Sequence, residues 1–226
     1  MKIRSSWASP LLALLCAWPL LGMTAPEAPA EQSDEALMKL GLMNLNGEIA
    51  GASDSTAYQI FLRLANRGNT QAQRLVAHAL VSGRGVERDR HQAFLWTQKA
   101  AELDDPIAMY QLGQMYGAGF TVPADDSKAN LWLQRAAEKG EGHAQLALGE
   151  RFEKGLGRKR SVVVAQALYA LAAGKAFTLS DQAAIASVRL ANSLSDAQIA
   201  AAQDLKSRIT EIGLTPALSE FETRNP

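Results

Sequence analysis

Residues 95–102 read LWTQKAAE, and residues 131–138 read LWLQRAAE, 36 positions later. The two segments differ only where Thr97 and Lys99 in the first correspond to Leu133 and Arg135 in the second. Self-similarity at a fixed period of roughly 20–50 residues indicates a chain built from stacked structural units, each packed on the next in the same way. The duplicated segment therefore predicts a repeat protein.

The 36-residue period extends through most of the chain without an insertion. Small residues recur at Ala72, Ala108 and Ala144, and a glycine follows eleven positions after each of them. A step of 36 residues back from Ala72 gives a weaker copy that begins at Ala36. The period thus divides the sequence into four units, which are 36–71, 72–107, 108–143 and 144–179.

Each unit predicts two helices. In its first part, apolar or small residues follow one another at spacings of four, one and three positions, which places them on one stripe of a helix. The second part carries alanine, a bulky apolar residue and an Ala-Ala pair at spacings that also mark one face. Glycine between the parts supplies the left-handed backbone that ends a helix. The sequence therefore predicts an all-α solenoid.

The third unit carries the fullest version of the pattern, which consists of Ala108, Leu112, Gly113, Tyr116, Gly119, Asp125, Ala129, Trp132, Ala136, Ala137, Glu138 and Gly140. This pattern resembles the Sel-one-like repeat (SLR) family, a relative of the tetratricopeptide repeat. The resemblance implies a right-handed α/α superhelix of about four helix-turn-helix repeats that binds other proteins. In bacteria, many members of the family are exported adaptors and regulators.

Three units depart from the family pattern, and the first of them is degenerate. The second unit has Ala77 in place of the helical glycine and Leu80 in place of the aromatic residue. The fourth unit has Leu168 in place of tryptophan and Arg158 where valine is usual.

The first 30 residues predict a cleaved secretory signal peptide. Lys2 and Arg4 form a short positive region, and the apolar run at 11–22 is too short to span a membrane as a helix of about 20 residues. Cleavage is expected after Ala30, and an uncleaved anchor is the alternative. Cys16, the one cysteine of the sequence, lies inside this segment, so the mature chain would have no disulfide and no thiolate ligand. The expected localisation is the periplasm.

The 36-residue register ends after the fourth unit. Residues 178–194 and 195–213 predict two further helices, with a capping box formed by Ser195 and Gln198 and a helix end at Gly213. Residues 180–213 are expected to cap the stack, because a repeat array needs a closing element with a polar outer face. The tail at 214–226 is expected to be loose.

Composition and motifs argue against nucleic-acid binding and against catalysis. The 23 basic and 23 acidic side chains balance, whereas nucleic-acid binding usually needs a basic face. His78, His91 and His143 fall in a first helix, a second helix and a linker, at no spacing typical of metal ligands. No cofactor is expected. An envelope hydrolase acting on cell wall or β-lactam is an unfavoured alternative, because the relatives linked to that chemistry carry paired cysteines in each repeat.

The remaining candidate surface is the face of each first helix opposite its packing stripe. At 100° per residue, the third, seventh, tenth and eleventh residues of each unit point to that face. In a stacked array such positions align into one strip, which by resemblance to tetratricopeptide arrays lines the concave groove. The candidate partner-binding residues are Arg74, His78, Tyr110, Gln114, Leu146 and Glu150.

The sequence therefore predicts a non-enzymatic periplasmic scaffold or adaptor that binds a protein or peptide in its concave groove. A narrower alternative is an immunity protein that neutralises an envelope-targeted toxin. Both hypotheses require a protein partner, and neither requires nucleic acid or an integral membrane segment after signal cleavage.

Overall fold

The structure is a computed structural model that describes residues 33–119, 121–174 and 177–225, and only the backbone of 177–180. The predicted signal peptide lies outside these residues. Within them the chain forms helices and no strand, which confirms the all-α prediction. The helices are α1 (Asp34–Asn46), α2 (Asp54–Asn66), α3 (Thr70–Ser82), α4 (Arg90–Glu102), α5 (Pro106–Ala118), α6 (Asp126–Glu138), α7 (Gly142–Lys154), α8 (Val162–Ala172), α9 (Phe177–Ala191), α10 (Asp196–Ile212) and α11 (Leu214–Arg224).

The first eight helices form four consecutive pairs whose ends are set by residues that recur every 36 positions. In each cap, a side-chain oxygen accepts a hydrogen bond from the backbone N–H three residues later, which satisfies one of the free amides of the first turn. The caps of the first helices are Ser33, Asn69, Asp105 and Glu141. The caps of the second helices are Ser53, Asp89, Asp125 and Ser161. The first helices end at the left-handed glycines Gly47, Gly83, Gly119 and Gly155.

Close approach of the two helices within a repeat depends on a glycine opposite a large side chain. A Cβ atom at Gly113 would lie 2.8 Å from Leu133 Cγ, and one at Gly149 would lie 2.7 Å from Tyr169 Cε1. Gly41 faces Phe61 in the same way. Since real Cβ atoms do not approach carbon this closely, each glycine makes the room that the facing side chain fills.

The buried apolar residues form two clusters that divide within α4. One contains residues of α1 to α4 as far as Ala93, and the other begins at Phe94 and continues through the remaining helices. Thr97, one turn further along α4, is buried and belongs to neither cluster.

Helices α9 and α10 lie where two further helices were predicted. Both pack against α8, which is apolar around most of its circumference. Ser195 and Gln198 form the predicted capping box, and α10 ends at Gly213. Their role as the cap of the stack remains a prediction.

The expectation of a loose tail is wrong, because residues 214–224 form helix α11. Leu214, Ala217 and Leu218 have the spacing of a helical stripe and are buried against the rest of the protein. Pro216 stands in the first turn, where its missing N–H leaves no helical hydrogen bond unmade. The helix packs on α10 and α6, and Gln134 Nε2 of α6 donates a hydrogen bond of 3.0 Å to Thr215 Oγ1. Apolar burial therefore orders this end of the chain.

No helix among the described residues has both the length and the apolar character needed to cross a membrane.

Candidate binding groove

Three of the six candidate residues meet at one depression between α3 and α5. His78 of α3 and Tyr110 and Gln114 of α5 line a cavity of about 330 Å³. Its floor contains Ala77 and Thr97, and its sides contain Val81 and Met115. The structure thus brings together side chains that are 32 to 36 positions apart in the sequence, as the aligned strip predicted.

The cavity lies in the repeat that lacks the glycine-and-large-side-chain pair. The residue equivalent to Gly41, Gly113 and Gly149 is Ala77, and the residue equivalent to Phe61, Leu133 and Tyr169 is Thr97. Thr97 is small, and its hydroxyl is occupied by a hydrogen bond of 2.9 Å to the Ala93 carbonyl. The second repeat therefore has two small side chains where the other repeats pair a glycine with a leucine or an aromatic ring.

A second cavity of about 470 Å³ adjoins the first and shares Val81, Gln114 and Met115 with it. It extends past the end of α3 to Arg90 at the start of α4 and to Thr121 in the loop after α5. We call the two cavities together the α3–α5 pocket. Val81 lies on the predicted face of α3 but was not among the six candidates, and Arg90 and Thr121 lie outside the first helices on which that face was defined.

Tyr110 is held by two neighbours from the same face. Its hydroxyl accepts a hydrogen bond from Gln114 Nε2, and its ring centroid lies 5.6 Å from that of His143. Burial, followed by the negative charge of Glu141, raises the pKa of Tyr110 above its ordinary value. The phenol is therefore neutral at neutral pH and can both donate and accept hydrogen bonds.

Arg74 is engaged in the link between two repeats. Its Nε lies 3.1 Å from Asp105 Oδ2, while Asp105 Oδ1 accepts the Ala108 N–H as the cap of α5. Both side chains are largely buried, with exposed fractions of 24% and 10%. Arg74 thus fixes the start of α5 relative to α3.

The two candidates from the fourth repeat differ in exposure. Leu146 is half-buried and packs against the larger core cluster. Glu150 is exposed, and its carboxylate lies 3.7 Å from Lys154 Nζ one turn later in α7. Glu150 consequently adds negative charge to the end of the strip nearest the C terminus.

The three histidines lie on separate helices. His78 is in α3 and His91 in α4, as predicted, whereas His143 is in the first turn of α7 rather than in a linker. The prediction for His143 was wrong because the helix begins two residues before the assumed unit boundary. Across the described ranges, no group of three or more histidine, cysteine, aspartate or glutamate side chains is placed to hold a metal ion.

Comparison with known proteins identifies the repeat. A family model described as "Sel1 repeat" matches residues 34–69, 70–105, 106–141 and 142–176, so each match begins two residues before the predicted unit. No curated protein sequence gives a significant match.

Three solved structures are similar to the chain. A Sel1 repeat protein from Oxalobacter formigenes aligns with a TM-score of 0.60 at 28% identity, over 64% of this chain and 59% of that one. A protective antigen of uropathogenic Escherichia coli with an SLR fold aligns with a TM-score of 0.48 at 23% identity, over 84% of this chain and 48% of that one. An immunity protein from Pseudomonas aeruginosa aligns with a TM-score of 0.47 at 23% identity, over 65% of this chain and 55% of that one.

The chain therefore spans about half to three fifths of the length of these proteins. The family matches cover well over half of the chain and agree with its helical pairs and recurring caps. The chain belongs to the Sel1 repeat family.

Proposed function

We propose that this protein is a non-enzymatic interaction scaffold of the bacterial periplasm, which binds a protein or peptide in the groove lined by its first helices. The observation that carries the proposal is the α3–α5 pocket, where His78, Tyr110 and Gln114 converge on an apolar floor. Sel1 repeat proteins mediate protein–protein interactions, which agrees with this reading.

The chemistry of the groove suits recognition. Tyrosine combines a large apolar ring with a hydroxyl, and such residues are frequent anchors at protein interfaces. The raised pKa of Tyr110 keeps that hydroxyl protonated, so it serves as a hydrogen-bonding group and has little nucleophilic character at neutral pH. Val81, which is 46% exposed, provides apolar surface that a partner can cover.

The six candidate residues divide into three roles in this proposal. His78, Tyr110, Gln114 and Glu150 would contact the partner, and Leu146 would form part of the groove wall. Arg74 would act by positioning, because its guanidinium is bound to Asp105 and sets the orientation of α5, which carries Tyr110.

The periplasmic assignment rests on the pattern of residues 1–30, with a positive region, an apolar run and small residues before Glu31. Intact-mass measurement of the protein recovered from the envelope tests it. The proposal predicts a chain that begins at Glu31, and a mass that includes residues 1–22 would contradict cleavage.

Affinity capture from an envelope extract, followed by mass spectrometry, tests partner binding. We expect a specific protein to be retained by the wild type and lost with Tyr110→Ala/Gln114→Ala. Leu131→Ala is the matched control, because Leu131 is 56% exposed on α6, away from the pocket. An immunity role is the narrower alternative. It predicts that the captured partner is a toxin whose gene adjoins the gene of the scaffold. Retention of the same protein by the double variant would reject the groove.

A further inference from the structure

The floor of the α3–α5 pocket departs from the repeat pattern, because Ala77 and Thr97 replace a glycine and a large side chain. On its side, Met115 holds a position that varies along the stack, with Met43, Ala79 and Arg151 in the other repeats. Within the described residues, the combination of Ala77, Thr97 and Met115 occurs at this interface alone.

The rim of the pocket departs from the pattern as well. In the second and fourth repeats, left-handed Gly85 and Gly157 lie directly against Asp54 and Asp126, the first residues of α2 and α6, with no room for a Cβ atom. In the third repeat the equivalent of these glycines is Thr121, whose Cβ atom would have no room in such a contact. The loop after α5 consequently cannot make the same close contact with α4.

The charge at this rim is also reversed and unpaired. Asp54 forms an ion pair of 2.7 Å with Arg84, and Asp126 is bound by the buried Arg151. The equivalent residue at the start of α4 is Arg90, a cation in place of an acid. Within the residues that the structure describes, no carboxylate lies at ion-pair distance from Arg90.

These observations define what would complement the pocket. Val81 and Met115 offer apolar surface, and the methionine side chain adapts its shape to what packs against it. Arg90 at the rim offers planar N–H donors that suit a carboxylate. A partner with an apolar side chain beside an acidic one would satisfy both.

We propose that the α3–α5 pocket takes a large aliphatic or aromatic side chain of a protein partner, and that Arg90 pairs with an aspartate or glutamate next to that side chain. This inference rests on the proposed function and specifies the sequence that the groove selects.

A phage-displayed library of random twelve-residue peptides, selected on the full chain, tests the proposal directly. We expect the selected peptides to share a large apolar residue within two positions of Asp or Glu. A synthetic peptide of the consensus is then measured by fluorescence anisotropy, together with versions in which the acid is replaced by glutamine or lysine.

Two variants separate the two parts of the pocket. Ala77→Gly/Thr97→Leu copies the Gly113 and Leu133 pair of the third repeat, which fills the floor with a combination that the fold already packs. We expect this double variant to bind the consensus peptide at least tenfold more weakly than the wild type does. Arg90→Glu should weaken binding of the same peptide about fivefold. This variant should bind the peptide that carries lysine in place of the acid better than the peptide that carries the acid.

Lys159→Glu is the control for Arg90→Glu, because it makes the same charge change at an exposed site in the loop between α7 and α8, and it should leave binding unchanged. Selected peptides without an acid, or unaltered binding by either pocket variant, would overturn the proposal, as would a failure to select any peptide. If Tyr110→Ala abolishes peptide binding while the Ala77/Thr97 and Arg90 variants do not, binding in the groove stands and the roles assigned to Thr97 and Arg90 are rejected.

Discussion

Arg189 of α9 donates two hydrogen bonds to the Glu153 carboxylate of α7, each 2.7 Å long. The Tyr169 hydroxyl of α8 donates a third, also 2.7 Å, to Glu153 Oε2. One carboxylate therefore joins both helices of the last repeat to the first helix beyond the repeats. The Glu153 side chain is only 16% exposed, so water competes little for these hydrogen bonds.

The first prediction concerns the pH dependence of this junction. The Arg189 hydrogen bonds hold the pKa of Glu153 below its ordinary value. A lowered folded-state pKa gives stability that is complete above the unfolded-state pKa, about 4.3, and is lost as the pH falls through the folded-state pKa. We expect Glu153→Gln to lower the free energy of unfolding more at neutral pH than near pH 3, as measured by urea unfolding. The difference should be only about 1 kcal/mol, because Arg189 is exposed and water weakens its interaction with Glu153. An equal cost at both values would contradict the assigned pairing.

The second prediction concerns Gly149. A Cβ there would lie 2.7 Å from the ring of Tyr169, which is fully buried and cannot move aside. Gly149→Ala should therefore destabilise the protein by about 1–3 kcal/mol through overpacking, although alanine is the better helix former. Thermal unfolding measures the effect. Gly174→Ala is the control and should be nearly neutral, because the nearest atom to its added Cβ is the Leu171 carbonyl oxygen at 3.5 Å.

The third prediction concerns Arg158, which takes the position held by Val86 and Val122 in earlier repeats. Its guanidinium carbon lies 3.8 Å from the Phe152 ring centroid, and Nε and Nη1 are buried without a hydrogen-bond partner among the described residues. Burial lowers the pKa of Arg158. Arg158→Val should raise the free energy of unfolding by about 1 kcal/mol, because buried unsatisfied donors are costly. A lower stability would show that the contact with Phe152 outweighs the unmade hydrogen bonds.

The fourth prediction tests the positioning role of Arg74. Arg74→Ala should lower the free energy of unfolding by about 1 kcal/mol or more, since it leaves the largely buried Asp105 without its cation. Asp105→Asn keeps an oxygen that can cap α5 and removes only the charge. A double-mutant cycle with these two changes should give a coupling free energy of at least about 0.5 kcal/mol. Additive effects would mean that the two side chains do not stabilise each other.

The repeated helices could be predicted from sequence because their determinants are local and recur. The caps Asn69 and Asp105 and the end glycines Gly83 and Gly119 act within one helical turn, so a 36-residue comparison detects them. Helix α11 lacks a copy elsewhere in the chain, and its apolar stripe has meaning only once α6 and α10 are present to cover it. The tail was therefore misjudged.

The candidate site was predictable only in part. The predicted strip contains His78, Tyr110 and Gln114, and in the structure these three side chains line one cavity. It did not show that Arg74 pairs with Asp105, because that contact joins two repeats and depends on how α5 is seated on α3. The substitutions Thr97 and Thr121 are visible in the sequence, but only the folded chain shows that they lie at one pocket.

Site-specific photo-crosslinking in the envelope tests the groove most directly. The photoreactive residue p-benzoylphenylalanine is placed at exposed Gln114 in the α3–α5 pocket, or at exposed Leu131 on α6 as the control. The account predicts a protein partner crosslinked from position 114 and not from position 131, with the product lost when Tyr110→Ala is added. A partner crosslinked from position 131 alone would contradict binding in the groove and place it on the second helices instead.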